Sequence, residues 1–313
     1  MKDEGARPAR PILPRVCIIG LGLMGGSLAL ALRRCGVAGH IVGCGRPALL
    51  ARAQELGAID SGAVDAGAAV AGSDFVFLCV PVETSIALLA KIAPHLPERA
   101  LVSDVGSTKQ AFAAAAREIF GASAGERVLP GHPLAGRELS GLEHASADLF
   151  ANCLWVLTPI AGAAPGPLPG ASNANLNAEP AELTAAQRSL RMALAAIGAR
   201  VLFSTPGEHD RTVAYTSHLP QMLSSALALT LERVFGGGNP ALEIHAGGLR
   251  SMLRLAASDP AMWEQIGASN RENICAALEG MESELRGLRE SLGGARFRAK
   301  FERAREFAKL LKS

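Results

Sequence analysis

Three glycines, Gly20, Gly22 and Gly25, stand in a GxGxxG spacing directly after the apolar run 16–19 and directly before a helix-forming stretch at 26–34. The spacing constrains the backbone at three points. Gly20 permits a tight turn out of a strand, Gly22 lets a pyrophosphate approach the main chain, and Gly25 allows helix and strand to pack closely. The helix N-terminus that follows favours an anion. Strand, glycine turn and helix in this order predict the opening unit of a dinucleotide-binding sheet.

The rest of the first half agrees with that start. Short apolar runs at 16–19, 41–44, 75–80, 101–104, 128–129 and 154–157 alternate with helix-like stretches. Such alternation predicts an α/β, Rossmann-type, mostly parallel sheet covered on both faces. Residues 161–182 shift to Ala, Gly, Pro and Asn and are expected to form a mobile loop, after which a helix at 183–197 and a strand at 201–203 close the domain. Beyond Pro206 the β-branched runs stop, and helices are expected near 207–235, 240–257, 260–292 and 295–312. The expected organisation is a flexible tail at 1–15, a dinucleotide-binding domain at 16–204 and an all-α C-terminal domain at 205–313. The last helix places Phe297, Phe301, Ala304, Ala308 and Leu311 on one face, a stripe suited to packing within the domain or to a dimer interface.

Composition excludes several classes of function. The chain has 313 residues, 49% of them hydrophobic, enough for two cored domains. With 31 basic against 29 acidic residues and no basic block interleaved with aromatics, it offers no nucleic-acid surface. The six cysteines form no CxxC pair and read as reduced residues of a cytoplasmic protein, with no metal site expected. The uncharged stretch 16–32 is of marginal length for a membrane span and is broken by the three glycines, so no membrane partner is expected.

Which dinucleotide is bound depends on the end of the second strand. An Asp or Glu about 20 residues on usually accepts hydrogen bonds from the ribose 2′-hydroxyl of NAD. Here the strand runs into Gly45-Arg46, with no acid until Glu55. A guanidinium can pair with a 2′-phosphate, so the pattern favours NADP, with NAD as the alternative. Leu21, Leu23 and Met24 of the fingerprint, Val80-Pro81 after the next apolar run, and Asp104 and Gly106 at the following one complete the expected cofactor-binding set.

Two further motifs carry candidate chemistry. Asp104-Val105-Gly106-Ser107-Thr108-Lys109 turns from strand to helix at the carboxyl edge of the sheet, where ligands of such folds bind, although Ser107 could equally cap the helix. Gly131-His132-Pro133, in a glycine-rich stretch reaching Gly141, places an imidazole where it can take a proton as a hydride leaves.

Together, GxGxxG at 20–25, DxGSxK at 104–109, GHPxxGxExSG at 131–141, Leu149-Phe150 with Thr158-Pro159, Ser217-His218-Leu219-Pro220 and Ser258-Asp259-Pro260-Ala261-Met262-Trp263 resemble the prephenate and arogenate (cyclohexadienyl) dehydrogenase family, from residue 16 to about 280. The resemblance implies oxidation of the ring hydroxyl of a small-molecule cyclohexadiene, prephenate or arogenate, with loss of CO₂. It implies His132 as catalytic base and Ser107 as the residue orienting it. It also implies His218 and Arg254 as substrate-site residues, with Gly247, Trp263 and Glu138 lining or gating the pocket. The stripe on the last helix suits a homodimer through the helical domain, and with no residues after 313 for a regulatory domain and no chorismate mutase segment before Val16, any tyrosine inhibition is expected at or near the active site. Two alternatives stand beside it. A β-hydroxyacid dehydrogenase would need a GxxGxxxK segment in the helical half, which does not occur, and a dinucleotide-sensing protein would need neither Ser107 nor His132.

Overall fold

The computed structural model describes residues 10–136, 139–160 and 179–310. They group into two units. The first comprises residues up to Asp210 together with Ser258–Ser269; the second comprises Arg211–Ala257 together with the residues from Asn270 onward.

In the first unit, β1 (Leu13–Ile19), β2 (Ala38–Cys44), β3 (Ser61–Ala63), β4 (Phe75–Leu78) and β5 (Leu101–Asp104) form one sheet. All its pairings are parallel, in the order β3-β2-β1-β4-β5. Helices α1 (Leu23–Arg34), α2 (Pro47–Glu55), α3 (Ala66–Val70), α4 (Val82–Ile92), α5 (Gln110–Phe120) and α6 (Ala124–Arg127) connect and follow the strands. Both faces of the sheet are buried, as parallel pairing requires. Successive residues of β1 divide between them: Val16 and Ile18 join a core with Leu28, Leu32 and Phe77, while Cys17 and Ile19 join one with Leu89, Val102 and Phe112. Chain order reverses between β1 and β4, the crevice in which ligands of doubly wound sheets bind at the carboxyl ends of the strands.

A second sheet, β6 (Gly131–Pro133), β7 (Leu154–Leu157) and β8 (Arg200–Phe203), pairs β6 antiparallel and β8 parallel to β7. Helix α7 (Ala185–Ala196) precedes β8 and opens with a capping box between Thr184 and Gln187. The mostly parallel α/β expectation therefore holds, with differences in detail. Strand β1 begins at Leu13, inside the segment expected to be a tail, because Leu13 is wholly buried and pairs with Ala38. The run at 128–129 makes only a single bridge, Val128 to Val102. Strand β4 ends at Leu78, short of Val80. Of the expected mobile loop, residues 161–178 lie outside the described residues.

The helical half is divided more finely than its periodicity suggested. The stretch 207–235 is α8 (Pro206–Val213), one π turn (Ala214–His218) and α9 (Leu219–Phe235). Pro220 in the first turn of α9 cannot donate a backbone hydrogen bond, and in the widened turn before it the Leu219 N–H donates to the Ala214 carbonyl. The stretch 240–257 contains α10 (Gly247–Leu253) between two 3₁₀ turns, and Asn270 separates α11 (Pro260–Ser269) from α12 (Arg271–Glu290). Helix α11 belongs to the first unit. The last helix, α13 (Ala295–Leu310), contains no buried residue, and Phe301, Phe307 and Leu310 are exposed. Among the described residues no helix is long and apolar enough to cross a membrane.

Candidate active site

The fingerprint adopts the geometry its glycines require. Gly20 has φ +93°, and a Cβ there would lie 2.5 Å from the Cys79 carbonyl oxygen; a Cβ on Gly25 would lie 2.0 Å from the Gly20 oxygen. Gly22 differs, since a Cβ on it would meet nothing within 4 Å. It is also the N-cap of α1, with no side chain bonded to the helix's first N–H groups. A tight turn, an open approach and an uncapped N-terminus fit the pyrophosphate of a dinucleotide. Arg46, the exposed N-cap of α2 after β2, lies where a ribose-recognising residue belongs, beside Gly45. Val80 and Pro81 follow β4, with Pro81 at the N-cap of α4.

Asp104 was expected among the cofactor ligands, but its carboxylate turns inward. It is fully buried, its Oδ1 accepting from the Gly131 amide (3.1 Å) and its Oδ2 from the Gly106 amide (2.8 Å) and from Lys109 Nζ (2.5 Å). The Lys109 ammonium, equally buried, also donates to the Gly131 carbonyl at 2.7 Å. Burial lowers the pKa of this lysine, against the opposing pull of Asp104 and, through space, of Asp210. One ion pair thereby fixes the end of β5, the turn through Gly106 and the first residue of β6.

His132, the next residue, lies within that strand opposite Val156 rather than in the loop its glycine-rich context suggested, and is half-buried. Its Nδ1 is 2.9 Å from Nε2 of His209, with the rings edge to face at 74°. The Nδ1 of His209 is in turn 2.7 Å from Asp210 Oδ1. His209 and Asp210, both buried, were not singled out in the sequence reading. A His-Asp dipeptide beyond Pro206 gives no local sign that it returns to a strand at 131–133.

Asp210 has a second task. Its Oδ1 accepts from the Lys109 amide (2.7 Å) and its Oδ2 from the Gln110 amide (2.8 Å), so it caps α5 from a remote part of the chain. The alternative reading of Ser107 as helix cap therefore fails. Ser107 is half-buried in the turn before that helix, and Thr108 beside it bonds Ser269 of α11 at 2.9 Å.

Of the other expected site residues, Trp263 is half-buried on α11 in the first unit. Glu138 lies outside the described residues. In the second unit, His218 ends the π turn and is buried, with its Nδ1 3.2 Å from Nδ2 of Asn270, which bonds Asn273. Arg254 is exposed at the start of the 3₁₀ turn after α10, a turn tied to α9 by the bond from Gln221 Nε2 to the Leu255 carbonyl (2.8 Å). Gly247 opens α10 and is exposed.

Comparison with known proteins identifies the family. A family profile described as "Prephenate dehydrogenase, nucleotide-binding domain" matches residues 28–166, starting just after the fingerprint, and one described as "Prephenate dehydrogenase, dimerization domain" matches residues 205–312. A crystal structure of the Aquifex aeolicus prephenate dehydrogenase, in complex with hydroxyphenyl propionate and NAD+, superposes with a TM-score of 0.77 at 30% identity, covering 96% of each chain. The chain belongs to the prephenate dehydrogenase family. The Synechocystis arogenate dehydrogenase superposes with a TM-score of 0.71 at 27% identity, covering 95% of this chain and 96% of that one. Prephenate dehydrogenase of Lactococcus lactis is 29% identical over 275 residues, which are 87% of this chain and 70% of that protein. Membership in this family bears out the resemblance drawn from the motifs and disfavours both the β-hydroxyacid dehydrogenase and the sensor alternatives.

Proposed function

We propose that the chain catalyses the NAD(P)-dependent oxidative decarboxylation of prephenate to 4-hydroxyphenylpyruvate, of arogenate to tyrosine, or of both. The observation carrying this reading is His132, half-buried on β6 and held through Nδ1 by His209, in the unit that also carries the glycine fingerprint. His132 accepts the proton of the substrate's ring hydroxyl, and Ser107 orients the imidazole and the hydroxyl. A bound nicotinamide dinucleotide supplies the acceptor for the hydride from the ring carbon, and Gly20, Gly22, Gly25, the N-terminus of α1 and Arg46 hold it. Departure of the ring carboxylate as CO₂ completes an aromatic ring, so the protein need only align the substrate and remove one proton. On the resemblance, Arg254, aided by His218, is the proposed grip on a substrate carboxylate, and Gly247, Trp263 and Glu138 are the further proposed substrate-site residues. Steady-state turnover of prephenate and of arogenate, each with NAD and NADP, tests the proposal; no turnover in any of the four combinations overturns it.

The exposed face of α13 and the exposed Leu229, Val234 and Leu285 on α9 and α12 suit burial against a second copy, so the helical unit is the proposed homodimer interface. The reduced cysteines and the soluble substrate suit the cytoplasm.

Two predictions follow from the assigned contacts. Arg254→Gln raises KM for the accepted substrate by about 10- to 150-fold, equivalent to the ~1.5–3 kcal/mol of a lost charge-assisted hydrogen bond, and leaves cofactor KM unchanged. An unaltered substrate KM would move the carboxylate contact, with Arg250 on the preceding helical turn the next residue to replace. Arg46→Ala weakens NADP more than NAD, and Arg46→Asp does so further, because its carboxylate repels a 2′-phosphate and accepts from a 2′-hydroxyl. The contact is exposed, so a difference of about 1–2 kcal/mol is expected at low salt. Dissociation constants for both cofactors at one ionic strength check this, and equal losses would place cofactor choice elsewhere.

A further inference from the structure

We propose that His209 and Asp210 are positioning residues that hold His132 in the one tautomer able to act as a base. The inference rests on the functional reading above in assigning His132 to proton removal. Its geometric part stands apart from that reading.

A carboxylate can only accept a hydrogen bond, so the 2.7 Å contact between Asp210 Oδ1 and His209 Nδ1 places a proton on that nitrogen. In a neutral His209 the proton is then absent from Nε2, which becomes an acceptor. The 2.9 Å contact from His209 Nε2 to His132 Nδ1 therefore requires that His132 carry its proton on Nδ1. His132 Nε2 is left with its lone pair, which is what taking a hydroxyl proton demands. The opposite tautomer would set two acceptors 2.9 Å apart. When His132 becomes imidazolium, the same chain stabilises it: its Nδ1–H donates to His209, and His209 donates to the Asp210 carboxylate. The logic is that of a carboxylate orienting a catalytic imidazole, with one imidazole interposed.

Asp210 also couples two parts of the site. The carboxylate that polarises His209 accepts the amides of Lys109 and Gln110, and so anchors the turn that bears Ser107. A displacement of Asp210 changes both the tautomer of His132 and the position of Ser107. Among the described residues the charged groups tied to the histidine pair include Asp210 on α8 and, through it, Lys109 at the start of α5 with its partner Asp104 on β5; β7 contributes Val156 opposite His132.

The experiment is nitrogen-15 NMR of histidine-labelled protein at a pH where His132 is neutral, combined with the pH profile of kcat, for wild type, His209→Gln and His209→Leu. A glutamine can place an oxygen where Nε2 stands and keep accepting from His132, whereas leucine cannot. The expected results are an Nδ1–H tautomer at His132 in wild type and His209→Gln, and a mixed or Nε2–H tautomer in His209→Leu. With them go a kcat about 10- to 100-fold lower and a displaced acidic limb in His209→Leu, largely restored in His209→Gln. A purely structural role for His209 would leave the tautomer and the limb where they are. An Nε2–H tautomer in wild type overturns the proposal, as does a His209→Leu protein with an unaltered tautomer and limb. Should His209→Leu not fold, the wild-type and His209→Gln spectra decide. If the wild type turns over neither substrate, the functional reading fails while the tautomer measurement still judges the relay.

Discussion

His132→Asn is expected to lower kcat by roughly 10² to 10⁴, the range for losing a general base, with little change in cofactor dissociation constant. Asparagine is the informative replacement because of what stands behind the ring. Its Nδ2 can occupy the place of the imidazole Nδ1 and go on donating to His209 Nε2, now 2.9 Å away, so strand β6 and the relay keep their connection. What the substitution removes is the far nitrogen, Nε2, and with it the lone pair that takes the hydroxyl proton. The same chemistry sets the sign of the pH dependence. Only unprotonated imidazole accepts a proton, so kcat of the wild type rises from low pH as the ring loses its charge, and this acidic limb is absent or displaced in His132→Asn. Near-normal kcat in the variant, or an identical limb in its residual activity, would remove His132 from the proton transfer.

The sequence displays His132 and the glycine fingerprint because their chemistry is local. A turn with φ +93° at Gly20 and a helix packed onto it at Gly25 admit few other residues, so the spacing carries the geometry. The alternating runs that become β1, β2, β4 and β5 are equally local, since a strand buried on both faces must be apolar throughout. His209 and Asp210 are not readable in that way. Asp210 meets Lys109 and Gln110 across 101 and 100 positions, and His209 meets His132 across 77, distances that no periodicity spans. For the same reason the inward turn of the Asp104 carboxylate is not legible: its position at the end of a strand is, but the lysine and the Gly131 amide that hold it come from outside that strand. The helices of the second half were found by period, yet their breaks at 214–218 and at Asn270 were not. A π turn and a single non-helical residue leave the apolar spacing almost intact on either side.

Lys109→Met is expected to destabilise the first unit by about 3–5 kcal/mol, the cost of leaving one partner of a buried ion pair without the other. Methionine has nearly the volume of the lysine stem, so cavity formation contributes little and the loss is electrostatic. Without the ammonium, the wholly buried Asp104 carboxylate keeps only the Gly106 and Gly131 amides, and the Gly131 carbonyl loses its Lys109 donor. At about 2–4 °C per kcal/mol for a unit of this size, the melting temperature falls by roughly 6–20 °C. Removing the second charge as well does not restore the wild type. In many proteins an apolar pair replaces a buried ion pair without loss, but here Lys109→Met/Asp104→Leu leaves the Gly106 amide and both the amide and carbonyl of Gly131 without these partners, at about 1–3 kcal/mol each. The double variant is therefore expected to remain well below wild type in thermal unfolding. A double variant as stable as the wild type would mean that the pair serves charge balance alone and does not hold the backbone of β6, and with it His132, against β5.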